Sequence, residues 1–130
     1  MVNLLRDLQA DLGIAYIFIA HDLSTVRHVS DEVAVMYLGQ IVERAPSDEL
    51  FREPLHPYTR ALLDAVPIPD PMAEAQRAAV VLEGEVPDPT NPPTGCRFHT
   101  RCPLATAQCA EEAPMLRAVS AQREVACHLV

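Results

Sequence analysis

Four cysteines are the residues of this chain whose type and number are best suited to chemistry. Cys96, Cys102, Cys109 and Cys127 are separated by five, six and seventeen residues, and none belongs to a C-x-x-C pair. The spacing is therefore neither that of a zinc ribbon nor that of a standard ferredoxin. On spacing alone, four free thiols and a metal site are equally compatible with the sequence. The tail around them is rich in proline and poor in large apolar side chains, and such small domains often need a metal or disulfides.

His21 is the second candidate, because it directly follows the apolar segment IAYIFIA at residues 14–20. That segment predicts a strand buried on both faces, the type found in parallel sheets. Ligands of open α/β sheets bind beyond the carboxyl ends of such strands. A histidine there can donate to a phosphate oxygen or position a water molecule. The alternative is a polar residue at the edge of a loop that bonds only to backbone.

The elements that must position these residues are predicted from hydrophobic spacing, helix caps and turn residues. They are, in chain order, a helix at residues 2–12 ending at Gly13, a strand at 14–20, a helix from Asp22 or Ser24 to Val29, strands at 33–38 and 41–45 around a tight turn at Gly39-Gln40, a helix capped by Ser47, and a helix from Pro57 to about Val66. A buried parallel strand at residues 14–20 needs neighbours on both edges. We expect these neighbours to precede residue 1 or to come from a second chain. If the missing strands are absent, we predict that this chain self-associates, for example by strand exchange.

Composition limits the classes of function. The net charge of -8 argues against binding to nucleic acid or to an anionic membrane, both of which need clustered Lys and Arg. The longest apolar run is far shorter than the roughly 20 residues of a membrane span, and early charges argue against a signal peptide. These features predict a cytoplasmic protein. Ten of the twelve prolines lie at or beyond Pro57, which indicates two parts joined near residues 66–79.

The run IFIAHDLSTVRHVSDEVAVMYLGQIVERA at residues 17–45 closely resembles the switch-histidine region of the ATP-binding subunits of ABC transporters. The resemblance implies that His21 is the switch histidine, which contacts the γ-phosphate of ATP and links it to the attacking water. The chain has only four glycines, no G-x-x-x-x-G-K-[ST] loop and no Leu-Ser-Gly-Gly-Gln signature. The Mg-binding Asp and catalytic Glu of the family are expected before Met1. We therefore predict that this chain alone neither binds ATP tightly nor hydrolyses it.

Two further segments resemble one branch of that family. Residues 51–63, which contain His56-Pro57-Tyr58, are similar to a segment that marks oligopeptide and dipeptide importers, with nickel importers close by. Judged from its residues alone, this segment has a mostly structural role. Residues 91–128 resemble the C-terminal extension of the same subunits, in which the four cysteines are associated with a cubane iron–sulfur cluster. The resemblance thus implies an iron–sulfur cluster, with zinc as the alternative metal and His99 and His128 as alternative ligands.

Together these features predict an α/β fold in two parts. Residues 1–65 would be the C-terminal end of an ABC-type P-loop ATP-binding domain, and residues 66–130 a small, irregular Cys- and Pro-rich α+β extension. The intact protein would couple ATP and Mg to peptide import, with a second ATP-binding subunit and membrane-spanning permease subunits as partners at the inner face of the membrane. The alternative is a standalone metal-binding interaction module without ATPase activity.

Overall fold

The computed structural model describes residues 2–66, 82 and 84–130. The first element is helix α1 (Val2–Leu12), which confirms the predicted helix. Gly13 ends it with a φ of 63°, and its N–H donates to the carbonyl of Gln9 at 2.9 Å. Most of the predicted junction near residues 66–79 lies outside the described residues.

The predicted strand at residues 14–20 is wrong. This segment has no regular secondary structure, and all of its side chains are exposed, including Ile17 at 95% and Ile19 at 93%. An extended apolar segment becomes a strand only where neighbouring strands accept its backbone hydrogen bonds and cover its faces. No strand in the described part of the chain pairs with it. Self-association through this segment stays a prediction.

A short helix and a hairpin follow, as predicted. Helix α2 (Leu23–Val29) has Asp22 as its N-cap, and strands β1 (Glu32–Tyr37) and β2 (Gln40–Pro46) form an antiparallel pair. The turn lies one residue earlier than predicted, at Leu38 (φ 45°) and Gly39 (φ 79°). Positive φ at both central residues matches the twist of a two-residue hairpin. The Arg97 guanidinium donates to the Leu38 carbonyl and so ties the turn to the C-terminal part of the chain.

Two helices follow the hairpin, α3 (Ser47–Arg52) and α4 (Pro57–Asp64). The predicted capping role of Ser47 is wrong. The N-cap residue of α3 is Pro46, while Ser47 is already helical and its buried hydroxyl has no hydrogen-bond partner. Its backbone N–H donates instead to the Asp31 carbonyl at 2.9 Å, because the end of β2 lies beside the start of β1. Pro57 opens α4 as predicted, since its fixed φ suits the first helical position.

The sheet has four antiparallel strands in the order β1-β2-β4-β3. Its last two strands, β3 (Arg117–Ser120) and β4 (Arg123–Val125), come from the C-terminal part of the chain. Before them lie a 3₁₀ turn (His99–Arg101) and helix α5 (Ala107–Glu111). The fold is thus a small mixed α/β domain built on an antiparallel sheet, not on the parallel sheet that residues 14–20 had suggested. The division at residues 65 and 66 stays a prediction, although one sheet contains strands from both sides of it.

The core lies on one face of this sheet. Val33, Val35 and Tyr37 point inward from β1 and alternate with exposed residues, which is the pattern of a half-buried strand. Leu50 of α3 and Phe98 pack against them, and each is only 1% exposed. Burying such side chains contributes about 2–3 kcal/mol each. Phe98 therefore anchors the segment that contains Cys96 and Cys102 to the hairpin.

A charged residue lies inside this core. The Glu43 carboxylate of β2 is fully buried and accepts hydrogen bonds from the backbone N–H of Leu55 and of His56, both at 2.9 Å. It also accepts one from the guanidinium of Arg123 in β4 at 3.0 Å, and Arg123 donates to the Glu53 carbonyl as well. The network joins β2, β4 and the segment before α4.

No described helix is long and apolar enough to cross a membrane.

We predict that Glu43→Ala lowers the free energy of unfolding by about 3–5 kcal/mol, because it leaves the Arg123 charge buried and unpaired. Glu32→Ala is the matched control, since Glu32 pairs with Arg44 on the same hairpin but is 51% exposed. It should cost less than about 1 kcal/mol. Urea unfolding followed by circular dichroism measures both. Equal losses in the two variants would contradict a structural role for the buried pair.

Candidate functional site

The fold brings the four cysteines together. Cys96, Cys102, Cys109 and Cys127 all line one cavity of about 10 Å³, which is roughly the space that one water molecule needs. Cys109 and Cys127 are buried, Cys96 and Cys102 are half-buried, and all four are free thiols. Three histidines, His56, His99 and His128, line the same cavity.

Local backbone geometry sets the position of each thiol. The Cys96 N–H donates to the Cys109 carbonyl at 2.7 Å, so the loop at residues 94–96 lies directly against α5. Cys102 ends the 3₁₀ turn, where its N–H donates to the His99 carbonyl at 3.3 Å. Cys127 follows β4, and the preceding Ala126 N–H donates to the Val42 carbonyl at 2.9 Å. Three separate segments therefore meet at the cavity.

Aromatic rings form a wall on the side of α4. The Phe98 ring packs against Tyr37, Tyr58 and His56, with centroid distances of 5.2, 5.3 and 5.9 Å. These tilted and edge-on contacts are the favourable geometries for aromatic pairs. The wall excludes water from one side of the cavity and links the cysteines to the His-Pro-Tyr segment.

Burial controls the protonation of the groups at the cavity. It raises the pKa of the Cys96 and Cys102 thiols, and the neighbouring cysteines act in the same direction. The thiols are therefore neutral until a cation or a hydrogen-bond donor stabilises the thiolate form. Burial also lowers the pKa of His56 to about 4, although the Glu43 carboxylate acts against this shift. His56 is thus a neutral imidazole near pH 7.

The types of side chain at the cavity suit a metal ion, but their positions in this structure do not. Four thiols with two nearby imidazoles are the ligands that zinc or an iron–sulfur cluster uses. Among the residues that the structure describes, no group of three or more His, Cys, Asp or Glu side chains is arranged to hold a metal ion. His99 Nδ1 and His128 Nε2 each lie within 2.9 Å of a carbonyl oxygen, of Cys96 and of Glu112 respectively. One nitrogen of each ring is therefore occupied by a backbone hydrogen bond.

His21 lies elsewhere, in an exposed position between residues 14–20 and α2, and it does not line the cysteine cavity. The following Asp22 fixes the start of α2 by accepting hydrogen bonds from the Ser24 N–H at 3.0 Å and from the Thr25 hydroxyl. These bonds, with that of Thr25 the strongest, lower the pKa of Asp22. The capping bonds therefore fix the backbone of the residue that follows His21, while the His21 side chain is exposed.

Sequence reasoning missed the positions of two buried residues, Glu43 and His56. Glu43 is buried on β2 together with the apolar Val42 and Ala45, and a charge at such a position signals a buried partner. His56 was interpreted as part of a structural segment, yet it is 1% exposed and lines the cavity. Only three-dimensional proximity reveals this second role, because 39 residues separate His56 from Cys96.

Residues 42–109 match the protein family described as oligopeptide/dipeptide transporter, C-terminal region. This chain belongs to that family. The matched residues include His56 and three of the four cysteines, Cys96, Cys102 and Cys109. The match confirms the predicted resemblance to the C-terminal region of this transporter family.

Individual relatives extend the match over almost the whole chain. It is 54% identical over 127 residues to the oligopeptide transport ATP-binding protein OppF of Escherichia coli (strain K12), which covers 98% of this chain and 38% of that protein. It is 52% identical over 130 residues to the di/tripeptide transport ATP-binding protein DppF of Pseudomonas aeruginosa (strain UCBPP-PA14), covering 98% of this chain and 39% of that protein. The chain spans less than two fifths of the length of these relatives.

We predict that Gly95→Ala disrupts the approach of Cys96 to Cys109. Gly95 has a φ of 68°, and a Cβ there would lie against the Cys109 carbonyl oxygen and 2.7 Å from the carbonyl carbon of Ala110. Overpacking of about 1–3 kcal/mol would add to a backbone cost of about 1–2 kcal/mol. Thermal unfolding should therefore show a loss of about 3 kcal/mol, together with faster alkylation of the thiols.

Gly13→Ala is the control for the backbone cost alone. Gly13 has a similar φ of 63°, but a Cβ there would meet nothing within 4 Å. We expect a loss of no more than about 2 kcal/mol and unchanged thiol reactivity. If Gly95→Ala behaves like Gly13→Ala, the close packing at the cysteine loop is not what holds these thiols together.

Proposed function

We propose that this chain is the region of an ATP-binding subunit that carries the switch histidine and a cysteine centre, in a transporter that uses ATP hydrolysis to import peptides. The observation that carries this proposal is the identity of 52–54% over 98% of the chain to proteins named for oligopeptide and di/tripeptide transport. ATP and Mg would be bound mainly by parts of the subunit that the chain does not contain, because it has no phosphate-binding loop.

His21 is the phosphate-contacting residue in this proposal. The exposure of the His21 side chain supports this role, since a side chain that contacts a nucleotide must not be buried in its own domain. The Asp22 cap supports it too, because it fixes the backbone next to the imidazole. A positioned histidine can hold the attacking water and interact with the γ-phosphate, while the transferred charge is stabilised by other groups.

The apolar surface beside His21 supports a larger assembly. Residues 14–20 are exposed together with Leu4, Leu8 and Leu12 of α1. Exposed apolar segments of this size usually pack against another surface. We propose that the remainder of the subunit covers this surface. A second ATP-binding subunit and membrane-spanning permease subunits would complete the transporter at the inner face of the membrane.

We predict that His21→Ala, made in the complete ATP-binding protein that contains this region and assayed with its partner subunits, lowers ATP turnover by about 100-fold or more. This is the range for the loss of a positioned acid–base group. ATP binding, measured with a fluorescent nucleotide, should stay near the wild-type level because other groups hold the nucleotide.

His28→Ala is the matched control. His28 is also exposed. It lies in the last turn of α2, whereas His21 precedes the first turn of the same helix. Its replacement should leave turnover within about twofold of wild type. Full activity of His21→Ala, or equal losses in both variants, would sink the switch role of His21.

We also propose that the four cysteines hold a metal centre. The support is their convergence on one cavity with mostly apolar walls, and the match between four thiolates and the ligand demand of an iron–sulfur cluster. We favour iron–sulfur over zinc, which would accept the same four ligands. A cluster would supply one-electron chemistry or a structural crosslink, whereas zinc would supply the crosslink alone.

The metal content of anaerobically purified protein tests this centre. We expect iron and sulfide with a visible absorption band, and we expect Cys102→Ser to lose both, since its half-buried side chain can be changed with little disturbance to packing. His128→Gln is the control, because the His128 ring bonds to a backbone carbonyl, and it should retain the metal. Detection of zinc without iron would show that the centre is a zinc site and not an iron–sulfur cluster. Absence of any metal from the wild-type protein would refute the centre.

A further inference from the structure

Within the described residues, hydrogen bonds reach the neighbourhood of His21 from its C-terminal side. The preceding residues 14–20 are exposed and have no regular secondary structure. The following residue, Asp22, is the N-cap of α2, and its carboxylate is hydrogen-bonded to the first turn of that helix. The position of the His21 imidazole in this structure therefore depends on how firmly Asp22 is held.

The two oxygens of the Asp22 carboxylate have different donors. Oδ1 accepts a hydrogen bond from the Ser24 backbone N–H at 3.0 Å, and Oδ2 accepts one from the Thr25 hydroxyl. An N-cap needs only one side-chain oxygen, which the Ser24 N–H already uses. The Thr25 bond is therefore additional to the cap, and it fixes the rotation of the carboxylate group.

Electrostatic interactions connect the same three side chains. The Thr25 hydrogen bond is the largest of the causes that lower the pKa of the Asp22 carboxyl, and the charge of His21 acts in the same direction. Hydrogen bonds to an ionised carboxylate are roughly twice as strong as those between neutral groups. The Asp22 carboxylate thus interacts with the Thr25 hydroxyl on one side and with the His21 imidazole on the other.

Thr25 is attached to the core of the domain through its neighbours on α2. Val26 is buried in the apolar core, and its N–H donates to the Asp22 carbonyl at 3.1 Å. The Arg27 guanidinium lies over the Phe51 ring of α3, 5.7 Å from its centroid, which is the geometry of a cation–π contact. These contacts fix the first turn of α2 relative to the core, and the Thr25 hydroxyl extends this fixed geometry to the carboxylate.

We propose that Thr25 is a positioning residue for His21, and that it acts through the Asp22 carboxylate to orient the imidazole for contact with the γ-phosphate. This inference rests on the proposed switch role of His21 and adds the residue that orients it. Thr25 itself contacts neither the nucleotide nor the attacking water in this mechanism. A misplacement of about 1 Å can lower the rate of a reaction about 100-fold, so the orientation of one side chain is sufficient to change turnover.

Two substitutions at position 25 separate the hydroxyl from the shape of the side chain. Thr25→Val removes the hydroxyl and keeps the β-branched shape, whereas Thr25→Ser keeps the hydroxyl. Both are made in the complete ATP-binding protein and assayed with its partner subunits. We expect Thr25→Val to lower kcat about three- to tenfold, which is the range for one hydrogen bond, and to leave the KM for ATP within about twofold. Thr25→Ser should stay within about twofold of wild-type turnover.

Ser24→Ala is the matched control. It removes an exposed hydroxyl from the same turn and keeps the backbone N–H that donates to Asp22. Its turnover should stay within about twofold of wild type. A loss in Ser24→Ala equal to that in Thr25→Val would overturn the specific role of the Thr25 hydroxyl.

A double-mutant cycle separates positioning from a general effect on the fold. In the His21→Ala background, Thr25→Val should cause no further loss of turnover, because the side chain that it positions is absent. If Thr25 only stabilises the domain, it will cost the same factor in both backgrounds. If Thr25→Val does not fold, Asp22→Asn replaces it in the cycle, because an amide still caps the helix but keeps only one of the two acceptor oxygens.

The outcomes distinguish this inference from the function on which it rests. Equal factors in the two backgrounds, or wild-type turnover of Thr25→Val, would overturn the positioning role and leave the switch role of His21 intact. Full turnover of His21→Ala would overturn both.

Discussion

The Glu43 carboxylate is fully buried and receives hydrogen bonds from Leu55, His56 and Arg123, residues that approach it from two separate parts of the chain. A buried ionised carboxylate is tolerated only when its oxygens are paired and hydrogen-bonded, so these groups cannot leave it independently. Both oxygens are used, one by the Leu55 N–H together with Arg123 and the other by the His56 N–H. The start of α4 and strand β4 are therefore fixed to β2 by one group.

This constraint also sets the geometry of the cysteine cavity. Strand β4 pairs with β2 at Glu43 and Arg44. Cys127 follows that pairing directly, while His56 is held at its own backbone N–H. The contribution of such a network to stability is cooperative, because each hydrogen bond polarises the others in a low dielectric. The network thereby holds the His56 backbone and strand β4 to the same carboxylate.

Much of the local structure could be predicted from the sequence. The caps at Asp22 and Pro57 and the hairpin around Gly39 are local signals, and they gave helices α2 and α4 and strands β1 and β2 within one or two residues. The strand at residues 14–20 could not be predicted correctly, because strand formation depends on neighbours that hydrophobicity does not reveal. The antiparallel pairing of β2 with β4 was also missed, since it joins residues about 80 positions apart.

The cysteines illustrate the same limit in the candidate site. Their spacing matched no known metal motif, and only the fold of three segments around Phe98 brings them to one cavity. By contrast, His21 could be singled out from its neighbours in the sequence, because its proposed role depends on a linear motif. The position of His56 at the cavity was missed because the sequence analysis interpreted its segment as mostly structural.

Helix α2 follows His21 in the chain and contributes one residue to the apolar core. Its buried residue, Val26, belongs to the same apolar cluster as Tyr37 and Phe98, and Phe98 lines the cysteine cavity. Proximity alone does not establish coupling between two sites, because coupling requires an element with two arrangements. Helix α2 has seven residues and a single buried side chain, and segments with few buried contacts move at the lowest cost. Val26 is therefore the residue through which a movement of α2 would reach the aromatic cluster of Tyr37 and Phe98.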